Sequence, residues 1–151
     1  MARYMVLDLA GAVARARLDD ERAPVTCQTL WDGILPFDGE GLPARHSGTE
    51  AGFHFDPRIV IPTENATCLL QKGDIVFIHY NLRERHGSPE PISEVIWCYG
   101  RYNMAIAPGK QEHVLGNVFA ELMPGADAFY AMSERLFTEG AKPLKVTGEI
   151  A

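Results

Sequence analysis

Two short polar stretches concentrate the side chains that could do chemistry: Arg45-His46-Ser47-Gly48-Thr49-Glu50 and Pro62-Thr63-Glu64-Asn65-Ala66-Thr67. Both interrupt apolar, strand-like sequence, where alternation would ordinarily place Val, Ile or Thr. An Arg, His or Glu taken out of water is costly unless it finds a partner. Several together therefore point to a shared polar pocket rather than a plain sheet surface. Arg45 offers a planar fork of donors suited to a carboxylate, amide or phosphate. His46 titrates near neutrality and suits proton transfer. The candidates for positioning or proton transfer are His46, Glu50, Glu64 and Glu94, and those for ligand contact are Arg45, Ser47, Asn65 and Tyr99.

Strand geometry limits how these groups combine. Successive side chains point to opposite faces, so Arg45 and Ser47 share one face and His46 takes the other, unless a bulge at Gly48 re-aims them. A nucleophilic triad from Ser47, His46 and Glu64 is awkward for the same reason. The competing reading is purely structural: Arg45 pairs with Glu64 or Glu94 across the fold, and Asn65 and Thr67 only hold the turn after Pro62. His54, His79, His86 and His113 read as packed or surface histidines. No metal site is expected, because there is no H-E-x-x-H, paired cysteine or acidic calcium loop. His46 and Glu50 are four apart, which aligns ligands on a helix and not across a glycine turn. No cofactor is expected either, since Gly116 and Gly125 stand alone and form no phosphate cradle.

The elements that must hold these residues are mostly short strands. Tyr4 to Leu9 and Val13 to Leu18 read as a hairpin turning at Gly11. Pro24 suits a first helical turn, and Cys27, Leu30, Trp31 and Ile34 fall on one helical face that Pro36 ends. That helix is expected to close one end of a barrel, with Trp31 as its anchor. Leu42 to Ser47, Ala51 to Phe55, Arg58 to Ile61, Ile75 to Tyr80, Glu94 to Tyr99, Asn103 to Ala107, Val114 to Leu122 and Leu144 to Val146 read as strands. Asn81 to Pro91, with its charge, glycine and prolines, reads as a surface loop. A second helix is expected from Asp127 to Glu139, capped by Asp127, ended at Gly140, and apolar along Phe129, Met132, Leu136 and Phe137.

At 151 residues the chain is expected to form one domain, residues 1–151. Fourteen basic against twenty acidic residues leave a net charge of −6, which argues against a nucleic-acid partner. No apolar run approaches the roughly 20 residues of a membrane span, and the start does not read as a signal peptide. Three widely spaced cysteines, Cys27, Cys68 and Cys98, suit reduced core thiols, so a cytoplasmic location is expected.

The order of parts carries a resemblance. Strand, strand, the acidic turn Asp19-Asp20-Glu21-Arg22, a proline and an amphipathic helix resemble the opening of cyclophilin-like barrels. Ala23-Pro24-Val25-Thr26-Cys27, Arg45-His46-Ser47-Gly48, Glu64-Asn65-Ala66-Thr67, Lys72-Gly73-Asp74-Ile75, Tyr99-Gly100 and Glu139-Gly140 resemble an uncharacterised bacterial family of small cyclophilin-like proteins over nearly the whole length. The resemblance implies a mainly β fold: a closed or nearly closed antiparallel barrel with about two helices plugging its ends. It implies no reaction, because that family has no established activity. The catalytic stretch of prolyl isomerases, Phe-His-Arg followed by a Phe-Met-x-Gln-Gly-Gly-Asp-like run, is not matched at Pro43-Ala44-Arg45-His46-Ser47-Gly48, which argues against that activity.

Two functional readings follow. In one, a cleft binds a small anionic or amide-bearing metabolite, anchored by Arg45, and acid–base chemistry by the carboxylates and His46 is left open. In the other, the chain is an interaction or assembly module. Trp97 and Tyr99 share a strand face that, if outward, would form an aromatic patch for a homodimer or higher homo-oligomer.

Overall fold

The computed structural model describes residues 1–44, 48–81, 90–107 and 112–151. The hairpin at the start sets the pattern for the whole sheet. β1 (Arg3–Leu9) and β2 (Ala12–Leu18) pair antiparallel around Ala10 and Gly11, which turn with φ of 50° and 95°. In β2 the inward positions are Ala12, Ala14, Ala16 and Leu18, and Val13, Arg15 and Arg17 face water. This is the period-two alternation of a sheet covered on one side.

Helix α1 (Pro24–Ile34) follows, with Pro24 in its first turn as its fixed φ and missing N–H favour. The chain then runs through β3 (Phe37–Pro43), β4 (Glu50–Phe55), β5 (Ala66–Thr67), β6 (Leu69–Leu70), β7 (Asp74–Tyr80) and β8 (Ile92–Cys98). The short β9 (Asn103–Met104), β10 (Ile106–Ala107) and β11 (Glu112–His113) lead to β12 (Gly116–Leu122), α2 (Asp127–Glu139) and β13 (Lys142–Ile150). Strand order in the main sheet is β2-β1-β13-β3-β4-β8-β7-β12, and β12 pairs back onto β2. Eight strands thus close an antiparallel barrel, which removes the exposed edges an open sheet would leave.

The interior is one apolar cluster fed by both helices: Cys27, Leu30 and Ile34 from α1, Phe129 and Leu136 from α2, and Phe53, Phe77, Trp97 and Phe119 from the strands. Trp97 is fully buried and its ring lies 5.1 Å from that of Phe129. Its indole N–H donates to Ser133 Oγ at 2.8 Å, and that hydroxyl donates to the Phe129 carbonyl at 2.7 Å. The aromatic patch expected of an outward Trp97 is therefore absent, because this face of β8 points into the barrel. Trp31 is only half-buried, lying against Gly148 and under the Arg3 guanidinium.

A second apolar cluster lies on the outside of the barrel wall. Val76, Ile78 and Tyr80 of β7 and Ile96 and Cys98 of β8 face away from the interior and are covered by Leu70 and Ala105. The excursion through β6 and β9 thus roofs part of the β8–β7 wall.

Other expectations are corrected in detail. Arg58 to Ile61 is not a strand: Asp56 accepts the Arg58 N–H at 2.9 Å and pairs with its guanidinium at 2.8 Å, which turns the chain. The last strand runs well past Val146, pairing with β1 on one side and β3 on the other. Phe137 is 70% exposed and leaves the apolar face of α2 to Phe129, Ser133 and Leu136. Asp127 lies in the first turn of α2 without a side-chain cap bond, and Ala126 takes the cap position. Most of the expected Asn81 to Pro91 loop (82–89) lies outside the described residues. No helix among them is long and apolar enough to cross a membrane.

Candidate functional site

The register of β4, β8 and β7 sets the geometry of the outer wall. Glu50 pairs with Cys98, Gly52 with Ile96, and His54 with Glu94, which in turn pairs with Ile78. Because Ala51 and Phe53 point inward, Glu50, Gly52 and His54 point outward, as do Glu94, Ile96 and Cys98. Two buried carboxylates, Glu50 at 1% exposure and Glu94 at 3%, thus stand on one otherwise apolar wall. They are four residues apart along the strands, about 13 Å.

Glu94 has a histidine partner on the neighbouring strand. His54 Nε2 lies 3.2 Å from Glu94 Oε2 and donates to it, with the His54 side chain 39% exposed and that of Glu94 4%. The arrangement puts a buried carboxylate behind an accessible imidazole. Such a carboxylate orients the ring, while the ring meets whatever approaches from solvent. His54, read from sequence as a packed or surface histidine, stands in the outward register between the inward Phe53 and the partly buried Phe55.

At the other end of the wall, Glu50 adjoins Cys98. Burial pushes the Cys98 thiol well up, and the charges of Glu50 and Asp74 add to this. Ala44 packs on the outer cluster, and Gly48 passes under the Tyr102 carbonyl, where a Cβ would stand 2.1 Å from that oxygen. Asn103 ties this corner together: its Oδ1 accepts the Thr49 N–H at 2.9 Å and the Thr49 hydroxyl at 3.1 Å, and its Nδ2 donates to the Gly100 carbonyl at 2.7 Å. Arg45, His46 and Ser47, between these anchors in sequence, lie outside the described residues.

The sequence profile of the family described as "Protein of unknown function (DUF3830)" matches residues 5–148. The chain belongs to the DUF3830 family. No curated protein matches it. Among solved structures, one described as McbB in complex with tryptophan superposes with a TM-score of 0.68 at 19% identity, over 95% of this chain and 44% of that one. This DUF3830 chain therefore spans less than half the length of that neighbour. The Mimivirus cyclophilin superposes with a TM-score of 0.47 at 10% identity, over 99% of this chain and 90% of that one. The closed eight-stranded antiparallel barrel with two helices is the architecture that the resemblance implied.

The remaining candidates of this DUF3830 chain lie away from the outer wall. Glu64 reaches the start of α1: Oε1 accepts the Val25 N–H at 3.1 Å, and Oε2 accepts the Thr26 N–H and hydroxyl, each at 2.8 Å. Burial pushes the Glu64 carboxyl up, but the Thr26 and Val25 donors outweigh it and hold the group below its ordinary range. Asn117 completes the latch, accepting the Glu64 N–H at 3.0 Å and donating to Thr26 Oγ1 at 3.1 Å and to the Pro62 carbonyl at 2.9 Å. Asn65, at φ 47°, donates through its side chain to the Val118 carbonyl at 2.8 Å.

Tyr99 is half-buried against the inner core. Burial pushes its hydroxyl up, with Glu134 and then Glu50 adding to the shift. Glu50 and Glu94 therefore share a wall, Glu64 and Asn65 share a latch, and Tyr99 joins neither. Among the described residues no three His, Cys, Asp or Glu side chains converge as metal ligands.

Proposed function

We propose that the outer wall of β4 and β8 binds a small polar metabolite bearing a carboxylate or amide, with His54 exchanging a proton with it and Glu94 holding His54 in position. The observation that carries this reading is the 3.2 Å contact between an accessible imidazole and a buried carboxylate on an otherwise apolar wall. A surface ion pair kept only for solubility has no need of a partner at 4% exposure, where desolvation is costly. The exposed face of His54 suits the polar head of a ligand, with Glu94 behind it.

Glu50, at the far end of the wall, is the proposed second positioning group. Arg45 is proposed as the anchor for an anionic or amide group, and Ser47 as a hydrogen-bonding group. The neighbour described as a tryptophan complex supports the class of ligand to test first, since tryptophan is a small molecule with a carboxylate and an apolar ring. Whether bound molecules turn over follows from the dyad's access to a labile proton, and turnover is assayed once a ligand is in hand.

The test is a thermal-shift screen against small carboxylates, amides, ureides and aromatic amino acids. A ligand at 100 times its dissociation constant adds about 2.7 kcal/mol to stability, which raises the midpoint by several degrees. Binding that is lost in both His54→Ala and Arg45→Ala supports the site as proposed. A flat screen of folded protein contradicts it.

A further inference from the structure

A second histidine stands at the same end of the barrel, on the opposite face of the same strands. Phe55, Ser93 and His79 form one row across β4, β8 and β7, one residue displaced from the row of His54 and Glu94. The displacement turns this row inward, toward Phe77 and Val95. His79 Nδ1 lies 2.8 Å from Ser93 Oγ, and Ser93 Oγ donates to the Ile59 carbonyl at 2.6 Å.

Proton bookkeeping then decides the tautomer. A serine hydroxyl has one hydrogen, and a carbonyl oxygen only accepts. With that hydrogen committed to Ile59, Ser93 Oγ has only lone pairs to offer His79, so Nδ1 carries the proton and donates. In the neutral ring Nε2 is then left as an acceptor. Among the described residues Nε2 has no hydrogen-bond partner, although the ring is half-buried. On the other side of Ser93 in the same row is Phe55, whose ring lies 6.1 Å from that of Phe77.

We propose that His79 is a ligand-binding residue at the inner rim of the barrel. Ser93 and the Ile59 carbonyl fix its tautomer so that Nε2 accepts a hydrogen bond from a small molecule with a flat apolar face and one O–H or N–H donor. The proposal uses none of the residues of the outer-wall site and stands or falls separately from it. Ser93 is a positioning residue here, since it is fully buried and acts only through His79.

The experiment is nitrogen-15 imidazole spectroscopy on the full chain, titrated with phenol and with anisole, which matches phenol in shape but lacks the donor. The expected result is the Nδ1–H tautomer for His79, a saturable change at its Nε2 with phenol, and at least a tenfold weaker response to anisole. His79→Asn can place an amide N–H where Nδ1 stood, so it should keep the fold and lose the phenol response. Ser93→Ala should release the tautomer toward Nε2–H. An Nε2–H tautomer in the wild type, an equal response to both probes, no response to either, or an unchanged phenol response in folded His79→Asn would each overturn the proposal.

Discussion

The Glu64 carboxylate crosses 38 positions of sequence to take both the N–H and the hydroxyl of Thr26, at 2.8 Å each. Helix α1 has Ala23 at its N-cap and so no side-chain cap of its own, and Glu64 supplies from a distant loop what a Ser or Asp would ordinarily supply locally. A negative group at this end also suits the helix dipole. The latch thereby joins the plugging helix to β12 through Asn117.

Removing it should cost about what a lost cap costs. Glu64→Gln is expected to destabilise the protein by about 1–2 kcal/mol at pH 7, measured by chemical denaturation. The pH dependence has a definite sign. The folded carboxyl titrates below its unfolded value, so its contribution is full above about pH 4.3. That contribution fades as pH falls through the lower folded value. Wild type and variant should therefore converge in stability at strongly acidic pH, and a gap that persists there would contradict the assignment.

Ser133 Oγ accepts the buried Trp97 indole N–H at 2.8 Å. Ser133→Ala should strand that donor and lower stability by about 1–3 kcal/mol. The urea midpoint should fall with no change in slope. An unaffected midpoint would mean the indole finds another acceptor.

Gly48 and Gly125 both hold a positive φ, 96° and 93°, but in different surroundings. A Cβ at Gly48 meets the Tyr102 carbonyl, while one at Gly125 meets nothing within 4 Å. Gly125→Ala should cost only the backbone strain, on the order of 1 kcal/mol. Gly48→Ala should cost distinctly more, because the strand end must move off Tyr102. Equal losses in the two variants would remove the close approach from the account.

The thiols should react unequally. Burial pushes Cys27 up to about 12, and burial with the charges of Glu50 and Asp74 pushes Cys98 higher still. Both should stay protonated and inert at pH 8 in the native protein, leaving half-buried Cys68 to react first. Titration with a thiol reagent should give one prompt equivalent natively and three after denaturation. Prompt reaction of Cys98 would contradict the burial of the outer wall.

Local patterns carried much of the fold. Helix α2 and the opening hairpin were legible because Gly140 and Gly11 punctuate strongly periodic runs. Strand β3 was not, since Phe37-Asp38-Gly39-Glu40-Gly41 has two glycines and little β propensity; its pairing with β13 holds it extended. Trp97 and Trp31 exchanged roles for a similar reason: which face of β8 turns inward is decided by barrel closure, not by the strand's own residues.

The site was legible only in part. Glu50 and Glu94 could be singled out as acidic residues in apolar strands, but their placement on one wall depends on the β4–β8 register. The contact of His54 with Glu94 spans 40 positions and leaves no local trace. Glu64 drew attention for the right reason, a carboxylate in apolar sequence, yet its partner Thr26 lies in an unremarkable helical turn.

The most direct test of the outer-wall account is calorimetric titration of the best ligand from the screen into wild type, Glu94→Gln and Glu64→Gln. The account predicts that Glu94→Gln weakens binding at least tenfold, about 1.4 kcal/mol, while Glu64→Gln, altered only at the latch, binds as wild type does. Full-affinity binding by folded Glu94→Gln, or an equal loss in both variants, would contradict it.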